Sequence, residues 1–450
     1  MNRRFGLVFM LLCMHVMLHA QDNAPYSRYG IGDLVANQNI INRAMGGISA
    51  GYSDYLSVNF SNPATYGNLS YISDKRFRKT SVRSTIFDIG GEISSRTLKS
   101  TTPNDRYSNT NPLMSYLQMG IPLKFPKANA KNVFVGMAFG LHPVSRIGYK
   151  IYKTERLAGV DSLATFYEGS GGVNEANFGL GIRIKNLNIG GSMAYRFGNR
   201  DYRTQLLFLN DSVNYYQSNS SSKSNFSGLV FSGGIQYEIN FKNNARLRLG
   251  GTTTLGRSLK GTFSTLRETI ELDAEGATFR IDSVYESKKD GTVKLPTSFS
   301  FGFTYQDSAG NWLVGADYEK TSWSQFRYDG QPDQVADNWK IRVGAEYYPA
   351  KYNTSFKKYF NHVRYRAGFH YGPDYLNLGN NRLNEFAFTL GAGFPLRLRR
   401  SYYETQVSYL NTAIEIGNRS NKNANLKESY FRICLGLSLS DIWFNRSKYY

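Results

Sequence analysis

Alternation with a period of two residues runs through the C-terminal half of the chain and limits what it can fold into. In residues 431–440, Phe431, Ile433, Leu435, Leu437 and Leu439 share one face, while Arg432, Cys434, Gly436, Ser438 and Ser440 share the other. The pattern recurs with Trp339, Ile341, Val343, Ala345 and Tyr347 against Lys340, Arg342, Gly344 and Glu346. It returns with Val363, Tyr365, Ala367, Phe369 and Tyr371 against Arg364, Arg366, Gly368 and His370, and again with Phe386, Phe388, Leu390, Ala392 and Phe394. Side chains alternate across a strand, so each segment predicts one apolar and one polar face. A soluble β-sandwich alternates too, so the pattern alone leaves core and lipid open.

Export narrows the choice. Asn2, Arg3 and Arg4 form a positive start, Phe5 to Leu18 is almost entirely apolar, and Leu18-His19-Ala20 ends in the small residue a signal peptidase needs. Residues 1–20 therefore read as a signal peptide, cut before Gln21. Cys13 leaves with it, and Leu12 before it is not the small residue a lipoprotein requires, so Cys434 is the only mature cysteine and no internal disulfide can form. After residue 20 no uninterrupted apolar run of 18 residues occurs, which excludes a spanning helix. The 33 Tyr, 29 Phe and 43 Gly of this 450-residue chain suit pleated surfaces and crowded barrel walls. An exported, aromatic-rich, helix-poor chain predicts an all-β fold: a transmembrane antiparallel β-barrel of a Gram-negative outer membrane.

Connection lengths support the barrel. Short polar turns at 127–132, 185–188, 242–245, 307–311 and 397–401, with a longer one at 350–360, alternate with long segments near 97–112, 153–172, 209–222, 273–290, 329–337, 377–382 and 418–427. Short turns on one side and long loops on the other is outer-membrane asymmetry. The strands expected between them are 80–96, 113–124, 133–152, 173–184, 189–208, 223–241, 246–272, 291–306, 312–328, 338–349, 361–376, 383–396, 402–417 and 428–444. That is about 14 strands, an even number that returns both ends to the periplasm, although 246–272 is long enough to hide an extra pair. Residues 21–79 do not alternate, and a barrel this wide needs its lumen filled. They are expected to form an N-terminal plug, with 80–450 as the barrel.

The run Asn42-Arg43-Ala44-Met45-Gly46-Gly47, followed by Asn59-Phe60-Ser61-Asn62-Pro63-Ala64, resembles the plug of the FadL/TodX family of outer-membrane channels for long-chain fatty acids and other hydrophobic compounds. Residues 167-YEGSGGVN-174, 295-LPTSFSFG-302 and Trp443-Phe444 are also similar to that family. The resemblance implies a fourteen-stranded barrel with an N-terminal hatch carrying Asn-Pro-Ala, and its hatch residues here are Arg43, Gly46, Gly47, Asn59, Asn62, Pro63 and Ala64. Asn can cap a helix, Pro suits its first position, and Ala permits close packing. The function it implies is passive uptake of a fatty acid or other hydrophobic small molecule. The resemblance also embraces PorV-type accessory barrels, whose partners are subunits of a secretion or assembly complex.

Enzyme chemistry finds little support. Gly47-Ile48-Ser49-Ala50-Gly51 matches a nucleophile elbow, but nothing strand-like precedes it, and the mature chain has only His142, His362 and His370. His142 does lie near Ser145 in sequence. Three scattered His and one Cys make no zinc spacing, and no phosphate-binding glycine motif occurs, so no metal or cofactor is expected. The net charge of +20, or +18 once Arg3 and Arg4 are removed, suits outer-membrane lipid and lipopolysaccharide. Basic residues interleave along strands instead of clustering with stacking aromatics, so nucleic acid is not expected.

Three expectations follow for sites. Arg342, Arg364, Arg366 and Arg432, with Lys340, Glu346 and Glu385, should face the lumen, either as a salt-bridged wall or as anchors for a substrate carboxylate. Gly140 and Pro143 should kink the third strand and open a lateral exit, since Pro removes a ladder hydrogen bond. Asp161-Ser162-Leu163, Asp211-Ser212-Val213, Asp282-Ser283-Val284 and Asp307-Ser308-Ala309 resemble an O-glycosylation consensus, but Asp and Ser favour turns in any case.

Overall fold

The computed structural model describes residues 24–69, 85–101, 104–123, 133–157, 161–209, 215–272, 278–350, 358–379, 381–396, 408–421 and 426–441. The expected leader, residues 70–79 of the plug, Asp211-Ser212-Val213 and Trp443-Phe444 lie outside these.

Eighteen strand segments join one antiparallel sheet among the described residues. Two of them, Asp33–Leu34 and Arg327–Tyr328, are two-residue bridges. Two wall positions are each built from two collinear segments, which leaves fourteen wall strands. They are β1 (Thr85–Thr101), β2 (Asn104–Pro122), β3 (Val133–Leu157), β4 (Asp161–Ile184), β5 (Leu187–Phe208), β6 (Gln217–Asn240) and β7 (Arg246–Thr254 with Ser258–Leu272). The rest are β8 (Thr278–Lys294 with Ser298–Gln306), β9 (Trp312–Thr321), β10 (Asn338–Tyr347), β11 (Arg364–Leu378), β12 (Asn381–Leu396), β13 (Ser408–Ser420) and β14 (Leu426–Asp441). Pairing of β14 with β1, from Leu426 opposite Ser100 to Asp441 opposite Thr85, closes the barrel.

The wall faces outward with the expected register. Phe431, Ile433 and Leu435 are exposed, while Cys434 is fully buried on the inner face. Outward residues are apolar along the lower part of every strand, as in Ile182, Leu180 and Phe178 of β4 and Ile235, Phe231 and Leu229 of β6. About nine residues per strand at roughly 3.3 Å each, tilted near 40°, give a belt of ~23 Å, close to a hydrocarbon core. Tight turns at Lys185–Asn186 and Asp307–Asn311 lie at the periplasmic end. Lys185 adopts φ 55° and Gly310 φ 71°, which reverses the chain over few residues.

Among the described residues, several of the expected long loops are largely strand, whereas 331–337 stays irregular. Residues 97–101 with 104–112, 153–157 with 161–172, and 278–290 are strand, and β3 to β6 each run 22 to 25 residues. Above the belt, polar cross-strand pairs take over from lipid, such as Thr97 with Ser108 at 2.9 Å and Lys223 with Asp201 at 3.1 Å. The 246–272 segment hides no extra pair: its two pieces occupy one wall position. The expected strand 312–328 ends at Thr321, where Trp323–Gln325 turns inward as a 3-10 helix. There Trp323 packs 4.5 Å from Tyr375 in an apolar cluster with Phe326, Leu259 and Phe263.

Candidate functional site: the filled lumen and the split in its wall

Residues 24–69 lie against the buried faces of the wall strands. Asn39 caps the short helix Ile40–Arg43, its side chain accepting from the Asn42 N–H at 2.9 Å. Asn62 caps the 3-10 turn Pro63–Asn68, accepting from the Ala64 N–H at 3.1 Å, with Pro63 in the first turn. The Asn-Pro-Ala motif therefore does the local work its residue types suggest. Asn62 also donates to the Ala50 carbonyl at 2.8 Å, and Asn59 donates to those of Ser49 and Tyr52. These bonds tie the two halves of the segment together.

The seat beneath it is made of glycines. A Cβ at Gly136, Gly190, Gly250 or Gly344 would run into the carbonyls of Tyr66, Pro63, Ala50 and Met45 respectively, and one at Gly368 into the Gly46 N–H. The wall backbone and the plug backbone thus meet with no side chain between them. Gly46 and Gly47, at φ 69° and 91°, turn the plug chain in a conformation that suits glycine. Wall side chains satisfy the plug's backbone: Asp317 accepts from the N–H groups of Ser49 (2.5 Å) and Ala50 (2.8 Å), and Gln236 donates to the Ala50 carbonyl at 2.8 Å.

Charge completes the attachment. Arg43 is buried between Glu92 of β1 and Glu415 of β13, the latter at 3.1 Å. Burial opposes its charge, but the carboxylates outweigh this and raise the guanidinium pKa well above its ordinary value. Asp33 sits between Arg96 of β1 (2.5 Å) and Arg419 of β13 (2.9 Å), and Glu428 lies 3.0 Å from Arg96. Arg419 also pairs with Asp374. This second cluster escaped the sequence reading, although Arg419 and Glu428 have the inward parity of Glu415 and Arg432 on either side of the β13–β14 turn.

The four expected lumen arginines all point inward to carboxylates. Arg342 pairs with Glu319 at 2.6 Å, Arg366 with Glu346 at 2.7 Å, and Arg432 with Glu415 at 2.8 Å. Arg364 lies 3.4 Å from both Glu346 and the plug's Asp54. Lys340 pairs with Glu385 at 2.6 Å. A cavity of about 210 Å³ remains above the plug, lined by Arg43, Arg342, Arg432, Glu319, Glu385 and Glu415 among others. Such a lining favours water and ions over hydrocarbon.

One place in the wall is incomplete. β2 and β3 pair only from Pro122 opposite Gly136 to Leu117 opposite Leu141, six positions in all, and then diverge. Gly140 is inside this paired stretch, packed against the Leu117 carbonyl and Gln118. Pro143 is just above it, at a bulge where β3 shifts register against β4 between Pro143 and Ser145. The break therefore comes from Pro143 and the bulge, while Gly140 permits close approach beneath it. The plug fills its base: Asp33 and Leu34 stand opposite Arg146 and Ser145 as an added strand. Arg146 reaches across to the Met114 carbonyl of β2 at 2.6 Å. His142 and Ser145 form no pair, since Ser145 donates to the Ile31 carbonyl at 2.6 Å and His142 stacks 4.8 Å from Phe60. Of the Asp-Ser tripeptides, Asp161–Leu163 opens β4, Asp282–Val284 lies in β8, and Asp307–Ala309 forms a periplasmic turn.

Comparison with known proteins places this architecture. The family model described as BamG matches residues 1–450. No curated protein matches the sequence. Among solved structures, the toluene transporter TodX of Pseudomonas putida superposes with a TM-score of 0.57 at 17% identity, over 92% of this chain and 100% of that one. A FadL homologue from Pseudomonas aeruginosa gives 0.54 at 12% identity, over 92% and 100%. The toluene transporter TbuX of Ralstonia pickettii gives 0.53 at 16%, over 90% and 98%. The fold is that of outer-membrane channels for hydrophobic compounds.

Proposed function

The chain belongs to the BamG family, and from its charged, filled interior we propose that this barrel does not transport but serves as an accessory subunit of an outer-membrane secretion or assembly complex. The observation that carries this reading is the lumen. Its inward charged side chains form ion pairs, its plug is bonded to wall strands all round, and its remaining cavity is lined largely by charged and polar side chains. Fatty acid or toluene crossing it would have to displace those pairs without replacing their interactions. The work of such a barrel falls to its outer and extracellular faces.

A second reading has one observation in its favour. The break between β2 and β3 begins within the apolar belt, beside Pro143, where an apolar ligand could leave sideways without crossing water. On this reading residues 21–79 act as a moving hatch, and the protein takes up hydrophobic small molecules such as long-chain fatty acids. Affinity purification of the full-length protein from its own membrane, with mass spectrometry of protein and lipid, separates the two. Stoichiometric protein partners and unchanged uptake of labelled oleate and toluene in a deletion strain support the accessory role. A barrel recovered alone, with lipid in its lumen and uptake lost on deletion, overturns it.

A further inference from the structure

Six neighbouring strands, β3 to β8, stand taller than the rest. β5 continues eleven positions past its uppermost exposed apolar residue, from Phe197 to Phe208, whereas β13 on the far side continues four, from Ile416 to Ser420. At roughly 3.3 Å per residue and a tilt near 40°, the difference is about 18 Å of height. The inner face of this tall wall is occupied at its foot. There Arg200, Ser224, Phe263 and Lys289, one from each of β5 to β8, form a cross-strand row. Arg200 lies 3.7 Å over the ring of Tyr328, and Phe263 packs edge-on 5.1 Å from the same ring. The Tyr328 hydroxyl donates to Ser224 Oγ, and Lys289 pairs with Asp329. The ladders continue upward without a register shift as far as Tyr285, so residues two and four positions higher share this face. The next row offers Tyr202, Ser222, Thr265 and Ser287, and the one above it Tyr167, Thr204, Ser220, Arg267 and Tyr285.

We propose that this inner face holds the sugar chain of a lipopolysaccharide molecule from the surrounding outer leaflet. Of the nine side chains in the two rows, eight carry a hydroxyl and one a guanidinium; none is a carboxylate or an aliphatic chain. The Tyr202 hydroxyl is engaged, donating to the Arg28 carbonyl. Among the described residues, the hydroxyls of Thr204, Ser220, Ser222, Thr265 and Ser287 have no protein partner, and Ser220, Arg267 and Tyr285 are exposed. Arg267 lies 5.9 Å over the Tyr285 ring, which sets its donors beside that ring. A sugar presents C–H faces and hydroxyls, and this face answers both. Tyrosine at each end of the upper row is a flat, amphipathic surface, and the residues between them donate and accept hydrogen bonds. Four strand spacings separate Tyr167 from Tyr285, about 19 Å, the length of a short oligosaccharide. A docked protein would ask for an apolar centre and a polyanion for clustered cations, and neither is here. The source is the neighbouring leaflet, because β9 and β10, at ten residues each, leave the face open over a low rim.

The test is calorimetry on the full-length protein in detergent, titrated with the polysaccharide that mild acid releases from the lipopolysaccharide of its own cells. The lipid A left behind is the control. The polysaccharide should bind, and its affinity should hold from low to high salt because the contacts are uncharged. Tyr167→Ala combined with Tyr285→Ala should weaken it at least about tenfold by removing both ring platforms. Ser220→Leu, an aliphatic chain set in mid-row, should weaken it several-fold, with both variants still heat-resistant barrels. No binding by the wild type, binding indifferent to these substitutions, binding abolished by salt, or equal binding of lipid A each overturns the inference. So does a protein partner that leaves with the two tyrosines while the polysaccharide never binds, which would give the face to that partner. The inference stands apart from the accessory and uptake readings, since it concerns neither the lumen nor the break.

Discussion

Two seams of this barrel invite comparison. The seam between β14 and β1 joins the ends of the chain, and it is paired along its whole length. The seam between β2 and β3 joins consecutive strands, and it is paired over six positions. Chain connectivity would favour the opposite result, since the local hairpin costs less loop entropy to form. What decides is side chains: β14 and β1 present uninterrupted alternation, whereas β3 carries Pro143 and a bulge just where its ladder with β2 ends. The plug follows the same division. It is anchored by charge beside the closed seam, through Glu92 and Arg96 of β1 and Glu415 of β13, and adds its strand at the open one.

That division can be broken at five positions. Arg43→Ala removes the ion-pair anchor and leaves Glu92 and Glu415 buried without it, at a cost of about 3–5 kcal/mol. Denaturant unfolding should show this loss, and Glu92→Gln added to it should recover part. If Arg43→Ala unfolds like the wild type, the anchor is not energetic. Leu435→Arg, outward in the closed seam, should cost about 2–4 kcal/mol. Leu141→Arg, at the break, should cost clearly less, because its guanidinium can turn toward the polar plug; equal costs would mean the break is sealed to water.

Gly344→Leu sharpens the comparison from inside. Its side chain would meet the Met45 carbonyl, and overpacking of this kind costs about 1–3 kcal/mol. The seat should loosen enough for trypsin to cut after Arg43 in an otherwise intact barrel, with an accompanying rise in permeability to small hydrophilic solutes. A protease-resistant variant would show that the glycine seat yields. Smallest is Pro143→Val, which restores one ladder donor worth about 1 kcal/mol. Amide exchange just above Leu141 should slow several-fold; no change would assign the break to the bulge alone. Gly140 is not a useful partner for this change, because a methyl there would press on the Leu117 carbonyl.

Much of this was legible along the chain. Phe431, Ile433 and Leu435 declared their face because a strand has period two and lipid tolerates only one kind of residue. Asn62-Pro63-Ala64 declared a capped turn because capping is local. The inward glycines at 344, 368 and 436 were visible as the small members of the polar face, without showing what they faced. The long polar hairpins were misjudged as loops, since above the belt alternation no longer separates apolar from polar and the period vanishes from the sequence.

The sequence by itself determined the strand count and which side chains face outward. Both follow from residue type and from intervals of a few positions. Only the tertiary structure decided which carboxylate each arginine meets. Asp33 and Arg419, or Arg43 and Glu415, lie hundreds of positions apart and become neighbours only because barrel closure and the plug's threading bring β1, β13 and residues 24–69 together. The open seam belongs to the same class. Pro143 announces a missing hydrogen bond, but whether β2, β4 or the plug gives way to it depends on the packing of all three.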